Sequence, residues 1–199
     1  MTGASVAGLA VWTSEYFSDF LSTEEQGTAV DLVQHLEFRQ DTFRGQALRR
    51  RQADFGLTYG PGGQVEPAAP IPSSLGWILD RVGQQCGVSF EQLIVTWYQP
   101  GASIGAHSDD KWFGEPIAGL SLGAPCIFRR IDPGGDLPSM KQELTSGSLY
   151  VLRGDERWMW KHDIPASSIK GDRWSLTFRL ISDQARLIVG GSRQGSKSP

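Results

Sequence analysis

The sequence contains little cysteine and no long apolar segment. Only two of its 199 residues are cysteines, Cys86 and Cys126, too few for a disulfide-stabilised scaffold, so we expect reduced thiols. No apolar run approaches the ~18–20 residues of a membrane span, and the N-terminal segment lacks the basic start and apolar core of a secretory signal. We therefore expect an intracellular protein without a membrane partner, in the cytoplasm, or in the nucleus if the source is eukaryotic.

Lysine is also scarce, with 5 residues against 14 arginines. Acidic residues outnumber basic ones by 22 to 19, giving a net charge of −3, which argues against nucleic-acid binding by bulk charge alone. One segment is nevertheless locally basic, and we call its five arginines the arginine strip: Arg39, Arg44, Arg49, Arg50 and Arg51. Because arginine forks onto phosphates and carboxylates, the strip is a candidate anion-binding segment.

Two helices are predicted in the first half of the chain. Ser22 and Glu25 have the spacing of a capping box, and an apolar stripe follows from Ala29 to Leu36. His35 lies beside that stripe, and we expect it to be a partly buried structural histidine. The second helix is predicted to begin near Ser73 or Ser74 and to end at Gly87.

The character of the sequence changes after residue 92. Five short β-type runs follow, each bounded by Gly, Pro, Asp or Ser: 93–98, 117–122, 125–131, 148–152 and 174–181. The pattern predicts an α+β, mainly β protein with a β core at about 92–182 and N-terminal helices packed outside it. We expect a single domain over residues 1–189 and a disordered tail over 190–199.

A histidine and a carboxylate recur at metal-ligand spacing in the β-rich half. His107 and Asp109 are two residues apart in a strand-like segment, so both side chains can point to one face. His162 would complete a set of two histidines and one carboxylate, which leaves three positions open on a non-haem Fe(II). The pattern H-x-D is weak by itself. The alternative is that His107 is a turn residue whose ring bonds Asp109.

Two arginines mark the last predicted strand. Arg173 and Arg179 are six residues apart and therefore share one face of that strand. An arginine inside a β core is costly unless an anion satisfies it, and a dicarboxylate would do so. Internal pairing with acidic side chains is the alternative.

The β-rich half resembles the AlkB family of Fe(II)/2-oxoglutarate dioxygenases in motif order and spacing. The matching segments are Leu93–Gly101, Ile104–Asp110, Leu120–Gly123, Gly154–Arg157 ahead of His162, and Arg173–Arg179. Upstream, Arg50–Gly56 and Tyr59 resemble the segment with which the family holds its target nucleotide. The resemblance implies a double-stranded β-helix (jelly-roll) core and a nucleotide-recognition region at about 44–66.

The resemblance also implies roles for individual residues around Fe(II), the co-substrate 2-oxoglutarate and O2. His107, Asp109 and His162 would be the catalytic metal ligands. Arg173 would pair with the distal carboxylate of 2-oxoglutarate. The other end of the co-substrate would be held by Arg179 and Tyr98, together with Thr96, which stands where the family usually has asparagine.

For the substrate, the resemblance implies contacts from Arg51, Phe55, Tyr59 and Lys111. Aromatic side chains there could stack on a base. Several repair enzymes of the family have an acid at the position of Lys111, so the charge is reversed in this chain. Asp163 stands where the family commonly has glycine; we interpret it as a turn residue, the alternative being a hydrogen-bond partner of the preceding ligand.

The predicted function is oxidative demethylation of alkylated bases in DNA or RNA, with release of succinate, CO2 and formaldehyde. Reaction on a base implies a single-stranded substrate or a flipped nucleotide. One alternative is the same chemistry on a protein side chain or a small molecule. Another is a catalytically silent jelly-roll that binds nucleic acid through the arginine strip. The sequence indicates no obligate protein partner.

Overall fold

The computed structural model describes residues 15–43, 45–59, 65–135 and 139–192. Four helices occur in this part of the chain: α1 Thr23–Val33, α2 Gly76–Cys86, α3 Gly154–Trp158 and α4 Asp183–Ser192. The strands before α2 are β1 Glu15–Phe17, β2 Thr42–Phe43, β3 Gln46–Ala47, β4 Arg50–Phe55, β5 Leu57–Tyr59 and β6 Val65–Pro67. Those after it are β7 Gln92–Tyr98, β8 Ile104–His107, β9 Ile117–Gly123, β10 Cys126–Ile131, β11 Met140–Leu144, β12 Leu149–Leu152, β13 Lys161–Ile164 and β14 Arg173–Arg179.

Both predicted N-terminal helices are present, and local chemistry explains their ends. Ser22 accepts a hydrogen bond from the Glu25 amide while the Glu25 carboxylate accepts one from the Ser22 amide, which is the expected capping box. A 3-10 turn at residues 73–75 leads into α2, which ends at Gly87 with a left-handed φ of 73°. His35 differs from expectation: it lies beyond the end of α1, is exposed, and bonds the Asp31 carbonyl.

Ten of the strands form two antiparallel sheets that face each other, and the short pairs β2-β3 and β5-β6 form two further two-stranded sheets. The larger sheet has the order β1-β12-β9-β14-β7-β4 and the smaller one β11-β10-β13-β8. Apolar side chains of both sheets meet between them, as where the rings of Phe128 and Tyr150 lie 4.9 Å apart. This is the jelly-roll that the resemblance implied, and all five predicted β-type runs correspond to strands within it.

The helices cover the outer face of the larger sheet. Val33 of α1 and Val82 of α2 are fully buried against Val95 of β7 and Leu176 of β14. The two faces of each sheet strand therefore have distinct roles. In β14, Trp174, Leu176 and Phe178 point toward the helices, whereas the alternate residues point into the space between the sheets.

The predicted bounds of the β core were too narrow. Strand β4 pairs with β7 and strand β1 pairs with β12, so residues 50–55 and 15–17 form the two edges of the larger sheet. These short strands lack a long apolar run because each is an edge that buries little. The helix α4 reaches Ser192, past the predicted start of the tail; residues 193–199, like Arg44 and residues 60–64 of the recognition region, lie outside the described residues.

Candidate active site

Strand pairing in the smaller sheet brings the two predicted histidine ligands together. His107 on β8 lies opposite His162 on β13, with ring centroids 4.4 Å apart. Asp109 follows β8 directly, and its Oδ2 is 3.6 Å from Nε2 of His162. The ring of Phe128 stacks on His162 from the neighbouring strand at 5.2 Å. Residues 55 positions apart in the chain thus meet at one point.

Burial and neighbouring charge set the protonation states of this group. Burial alone would raise the pKa of Asp109, but the Arg179 guanidinium and the two imidazoles outweigh it and hold that pKa well below its usual range. Burial lowers the pKa of His162 to about 4, only partly opposed by Asp109. At neutral pH the carboxylate is therefore ionised and the imidazole neutral, which are the forms that bind a metal.

The donor types suit Fe(II). His107 donates a hydrogen bond from Nδ1 to the Gly105 carbonyl at 2.9 Å, which orients the ring and leaves Nε2 as a donor atom. Over the described ranges, no three His, Cys, Asp or Glu side chains converge as a preformed metal cluster. Two imidazoles with one carboxylate is a donor set that non-haem Fe(II) accepts, and the protonation states of Asp109 and His162 suit metal binding.

Arg173 is a buried cation with unused hydrogen-bonding capacity. Its side chain is fully buried in β14, and Nε donates to Ser121 Oγ at 3.1 Å. Its guanidinium carbon lies 5.1 Å from the centre of the Tyr98 ring. Within the described residues, neither Nη1 nor Nη2 has a hydrogen-bond partner, and none of the ion pairs includes Arg173. An incoming carboxylate would accept hydrogen bonds from both of these buried nitrogens.

Arg179, unlike Arg173, has protein hydrogen-bond partners for all three of its guanidinium nitrogens. Its Nε and Nη2 both donate to Oδ1 of Asp109, and Nη1 donates to Gln92 Oε1 at 3.2 Å. The two arginines share a strand face, as predicted. However, the alternative of internal pairing with an acid describes Arg179, whereas Arg173 has no such partner.

A cavity between the sheets connects Arg179 with the two histidines and Asp109, whereas Arg173 is not among its lining residues. Thr96 and Tyr98 line it from β7, and the Thr96 hydroxyl accepts a hydrogen bond from Gln52 of β4 at 3.5 Å. Burial raises the pKa of Tyr98, so its hydroxyl stays a neutral donor and acceptor. The same cavity is lined by His107, Asp109, His162 and Arg179. Gln52 was not predicted as a cavity residue, because residues 50–56 were interpreted as a basic, nucleotide-holding segment and not as a strand of the larger sheet.

None of the four predicted substrate residues lines this cavity, and they lie in different surroundings. Tyr59 packs edge-on against Phe113 at 6.0 Å, and burial raises its pKa to about 12. Lys111 is exposed two residues beyond Asp109, with its ammonium 5.6 Å from the Trp112 ring. By contrast, Phe55 packs into the core under the helices.

Arg51 also points away from the site. Its guanidinium lies 5.3 Å from the Trp97 ring, on the helix side of the larger sheet. The structure therefore does not place Arg51 or Phe55 where they could reach a base in the cavity. Period-2 alternation along β4 is the physical reason, since residues 51, 53 and 55 share the outer face and residues 50, 52 and 54 the inner one.

The arginine strip is not one continuous free surface. Arg39 pairs with Asp41 and Asp54, and Arg50 donates to the Ser103 carbonyl at 3.2 Å. Arg49 is exposed at a groove that reaches His107 and is lined by residues 46–50 and 101–107.

Asp163 is not a turn residue. It lies in β13 and pairs with Arg129 of the neighbouring strand, so it fixes strand pairing beside His162. The interpretation as a turn was wrong because the strand continues through the ligand. Cys86 and Cys126 are buried free thiols, as predicted.

Comparisons with known proteins identify the family of this chain. A family model for the 2OG-Fe(II) oxygenase superfamily matches residues 13–179. The chain is 32% identical over 197 residues to the DNA oxidative demethylase ALKBH2 of Bos taurus, covering 84% of this chain and 71% of that protein. It is 26% identical over 155 residues to the tRNA (carboxymethyluridine(34)-5-O)-methyltransferase alkbh8 of Xenopus tropicalis, covering 73% of this chain and 24% of that protein.

The solved structure of OsALKBH1 shares the fold, with a TM-score of 0.66 at 20% identity over 83% of this chain and 97% of that one. Among the described residues, no helix is long and apolar enough to cross a bilayer. The extent of the family match and the identity to ALKBH2 establish the relationship. The chain belongs to the 2OG-Fe(II) oxygenase superfamily and, within it, to the AlkB family of Fe(II)/2-oxoglutarate-dependent dioxygenases.

Proposed function

We propose that this enzyme oxidatively demethylates alkylated bases in DNA or RNA, and that it acts inside the cell. The observation that carries the proposal is one cavity lined by Asp109, whose carboxyl is ionised, by His162, whose imidazole is neutral, and by His107. His107 also lines the neighbouring groove. The relatives named for DNA demethylation and for tRNA modification support a nucleic-acid substrate.

We assign His107, Asp109 and His162 as the Fe(II) ligands. When bound, the iron with 2-oxoglutarate and O2 supplies the oxidant that hydroxylates an N-methyl group, which is then lost as formaldehyde while 2-oxoglutarate becomes succinate and CO2. The chain's own part is to keep the ligands in their binding protonation states. Buried Arg179 does this for Asp109 by holding its carboxyl ionised.

We assign Arg173 as the anchor for the distal carboxylate of 2-oxoglutarate. Nη1 and Nη2 are buried and free, so the carboxylate would receive both in a planar fork without displacing a protein partner. Thr96 and Tyr98 line the cavity and can hydrogen-bond the other end. Arg179 already binds the Asp109 carboxylate. We therefore propose that it serves both Asp109 and this other end of 2-oxoglutarate.

We propose that the target base enters from the side of Tyr59 and Lys111. Tyr59 is 37% exposed, which leaves part of its surface available for stacking. The groove from Arg49 to His107 would take the flanking backbone, so the base must be in a single strand or flipped out of a duplex. The positive charge of Lys111 disfavours bases that are cationic at that edge.

A screen of methylated oligonucleotides tests the function. DNA and RNA strands that each carry one methylated base are incubated with Fe(II), 2-oxoglutarate and the enzyme, and products are read by mass spectrometry. We expect at least one strand to lose one CH2 unit, with formaldehyde released in equal amount, and none to change with His107→Ala. Succinate release with no change in any strand would instead support the protein or small-molecule alternative.

A further inference from the structure

A buried arginine holds the loop that carries the proposed carboxylate ligand. Arg157 on α3 is 2% exposed. We call residues 109–114 the ligand loop. Arg157 donates to four of its carbonyls, namely those of Asp109 at 3.0 Å, Asp110 at 2.7 Å, Phe113 at 2.6 Å and Gly114 at 3.2 Å.

The cation is held by these carbonyls and by an aromatic lid. Among the ion pairs of the described residues, none includes Arg157. The Trp158 ring covers it, with the guanidinium carbon 4.2 Å from the ring centre. The Trp158 indole N–H in turn donates to Glu115 Oε2 at 2.7 Å, just beyond the ligand loop. The loop is thus fixed from α3 at both of its ends.

The ligand loop contains residues of the proposed active site. The loop begins with Asp109, and its Phe113 contacts both Tyr59 and Arg179. We propose that Arg157 is a positioning residue, which holds the ligand loop so that the Asp109 carboxylate faces the metal. This inference rests on the proposed function, because it needs Asp109 to be a ligand.

Lysine at this position would keep the charge and lose the fork. Four carbonyls at separate positions are reached by three different nitrogens of the guanidinium. The single nitrogen of lysine cannot span them. Arg157→Lys therefore isolates the geometry from the charge.

The experiment measures metal binding in the absence of turnover. The metal-free protein without 2-oxoglutarate is titrated with Co(II), followed by the visible absorption of the bound ion, and melting temperatures are recorded in parallel. We expect Arg157→Lys to bind Co(II) at least about tenfold more weakly than the unmodified enzyme, the range found for groups that orient a ligand.

Two control variants separate positioning from general stability. Arg153→Lys changes an exposed arginine of the same segment that pairs with Glu15 and bonds the Cys86 carbonyl, away from the loop. Val33→Ala lowers stability in the core between α1 and the larger sheet, a cluster that does not include Arg157 or the ligand loop. Both should bind Co(II) like the unmodified enzyme. Equal weakening in Val33→Ala would overturn the inference.

The remaining outcomes are also decisive. Unchanged Co(II) affinity in a folded Arg157→Lys variant would overturn the positioning role and leave the metal site standing. No Co(II) binding by the unmodified enzyme would overturn the metal site itself, and the inference with it. Should Arg157→Lys not fold, Trp158→Ala removes the aromatic cover of Arg157 at a half-exposed position. Co(II) binding that is about two- to fivefold weaker would support the positioning role of Arg157, and unchanged Co(II) binding would overturn it.

Discussion

At the scale of single residues, the two carboxylate oxygens of Asp109 face two different partners. Its Oδ1 accepts from Arg179 and its Oδ2 faces His162. Both Asp109 and Arg179 are almost fully buried, with 4% and 11% of their side chains exposed. A charge left in such a place without its partner is strongly destabilising, so the ligand is also part of the fold.

Asp109→Ala should therefore cost stability as well as metal binding. We expect the free energy of unfolding of the metal-free protein to fall by about 3–5 kcal/mol, because Arg179 is left buried and unpaired. His107→Ala removes a half-buried ring without stranding a charge and should cost much less. Urea unfolding of both variants measures the difference.

The double variant Asp109→Ala/Arg179→Met is the control for this prediction. Since it removes both charges, it should recover part of the lost stability. Neither the single nor the double variant should bind Co(II). An Asp109→Ala protein as stable as the unmodified one would contradict the buried pair.

Arg173→Lys tests the co-substrate anchor. The substitution keeps a charge but loses the two parallel N–H groups that grip a carboxylate. We expect the apparent 2-oxoglutarate constant to rise about tenfold or more, since a charge-assisted hydrogen bond contributes ~1.5–3 kcal/mol and ~1.4 kcal/mol is tenfold. Succinate release at varied 2-oxoglutarate measures it.

Arg129→Lys is the matched control, because Arg129 lies on the other sheet and pairs with Asp163. It should leave the 2-oxoglutarate constant near its original value. If Arg173→Lys also left the constant unchanged, another residue would be the anchor.

At the scale of elements, strand β4 decides which members of the arginine strip can meet a substrate. The strand pairs along its whole length with β7, so its side chains alternate between the helix face and the cavity face. Gly56 ends it in a left-handed turn, where a Cβ would come within 2.1 Å of the Glu91 carbonyl oxygen. That turn starts β5, which carries Tyr59 to the site.

Two arginines of this region should behave oppositely in oligonucleotide binding. Arg49→Ala removes an exposed cation at the groove, so binding should weaken and the salt dependence should flatten by about 0.7 per lost phosphate contact of a single strand. Arg51→Ala removes a cation that stacks on Trp97 under the helices and should leave the salt slope unchanged. Fluorescence anisotropy at several salt concentrations distinguishes them, and equal effects of the two changes would contradict the face assignment.

At the scale of the whole molecule, both sheets present polar side chains to the space between them. Arg173 contributes two unpaired donors from the larger sheet, and His107 and His162 contribute rings from the smaller one. A metal ion and a co-substrate that contact both sheets can bind only the folded state, because unfolding separates the sheets. Ligand binding should therefore raise global stability by mass action.

We expect Co(II) with 2-oxoglutarate, each at about 100 times its dissociation constant and without O2, to raise the free energy of unfolding. The gain for one saturating ligand at that excess is about 2.7 kcal/mol. Denaturant unfolding monitored by circular dichroism measures it. In Arg173→Lys at the same concentrations, the increment from 2-oxoglutarate should be smaller, and an equal increment would separate Arg173 from the co-substrate.

Local signals in the sequence predicted much of the architecture. The capping box at Ser22, the stop at Gly87 and the five β-type runs depend on neighbouring residues, and all are present in the structure. Strands β1 and β4 were not predicted, because edge strands gain their stability from pairing with distant strands and carry little apolar pattern of their own.

For the site, the sequence by itself determined the residue types and the strand faces of the ligands, and the family motifs supplied their roles. Only the tertiary structure decided that Arg179 binds Asp109 while Arg173 has free donors, since both arginines lie on the same face of β14. It also decided that Arg51 and Phe55 face the helices and that Arg157 holds the ligand loop. Each of these depends on which distant backbone or charge lies opposite, and spacing along the chain does not encode that.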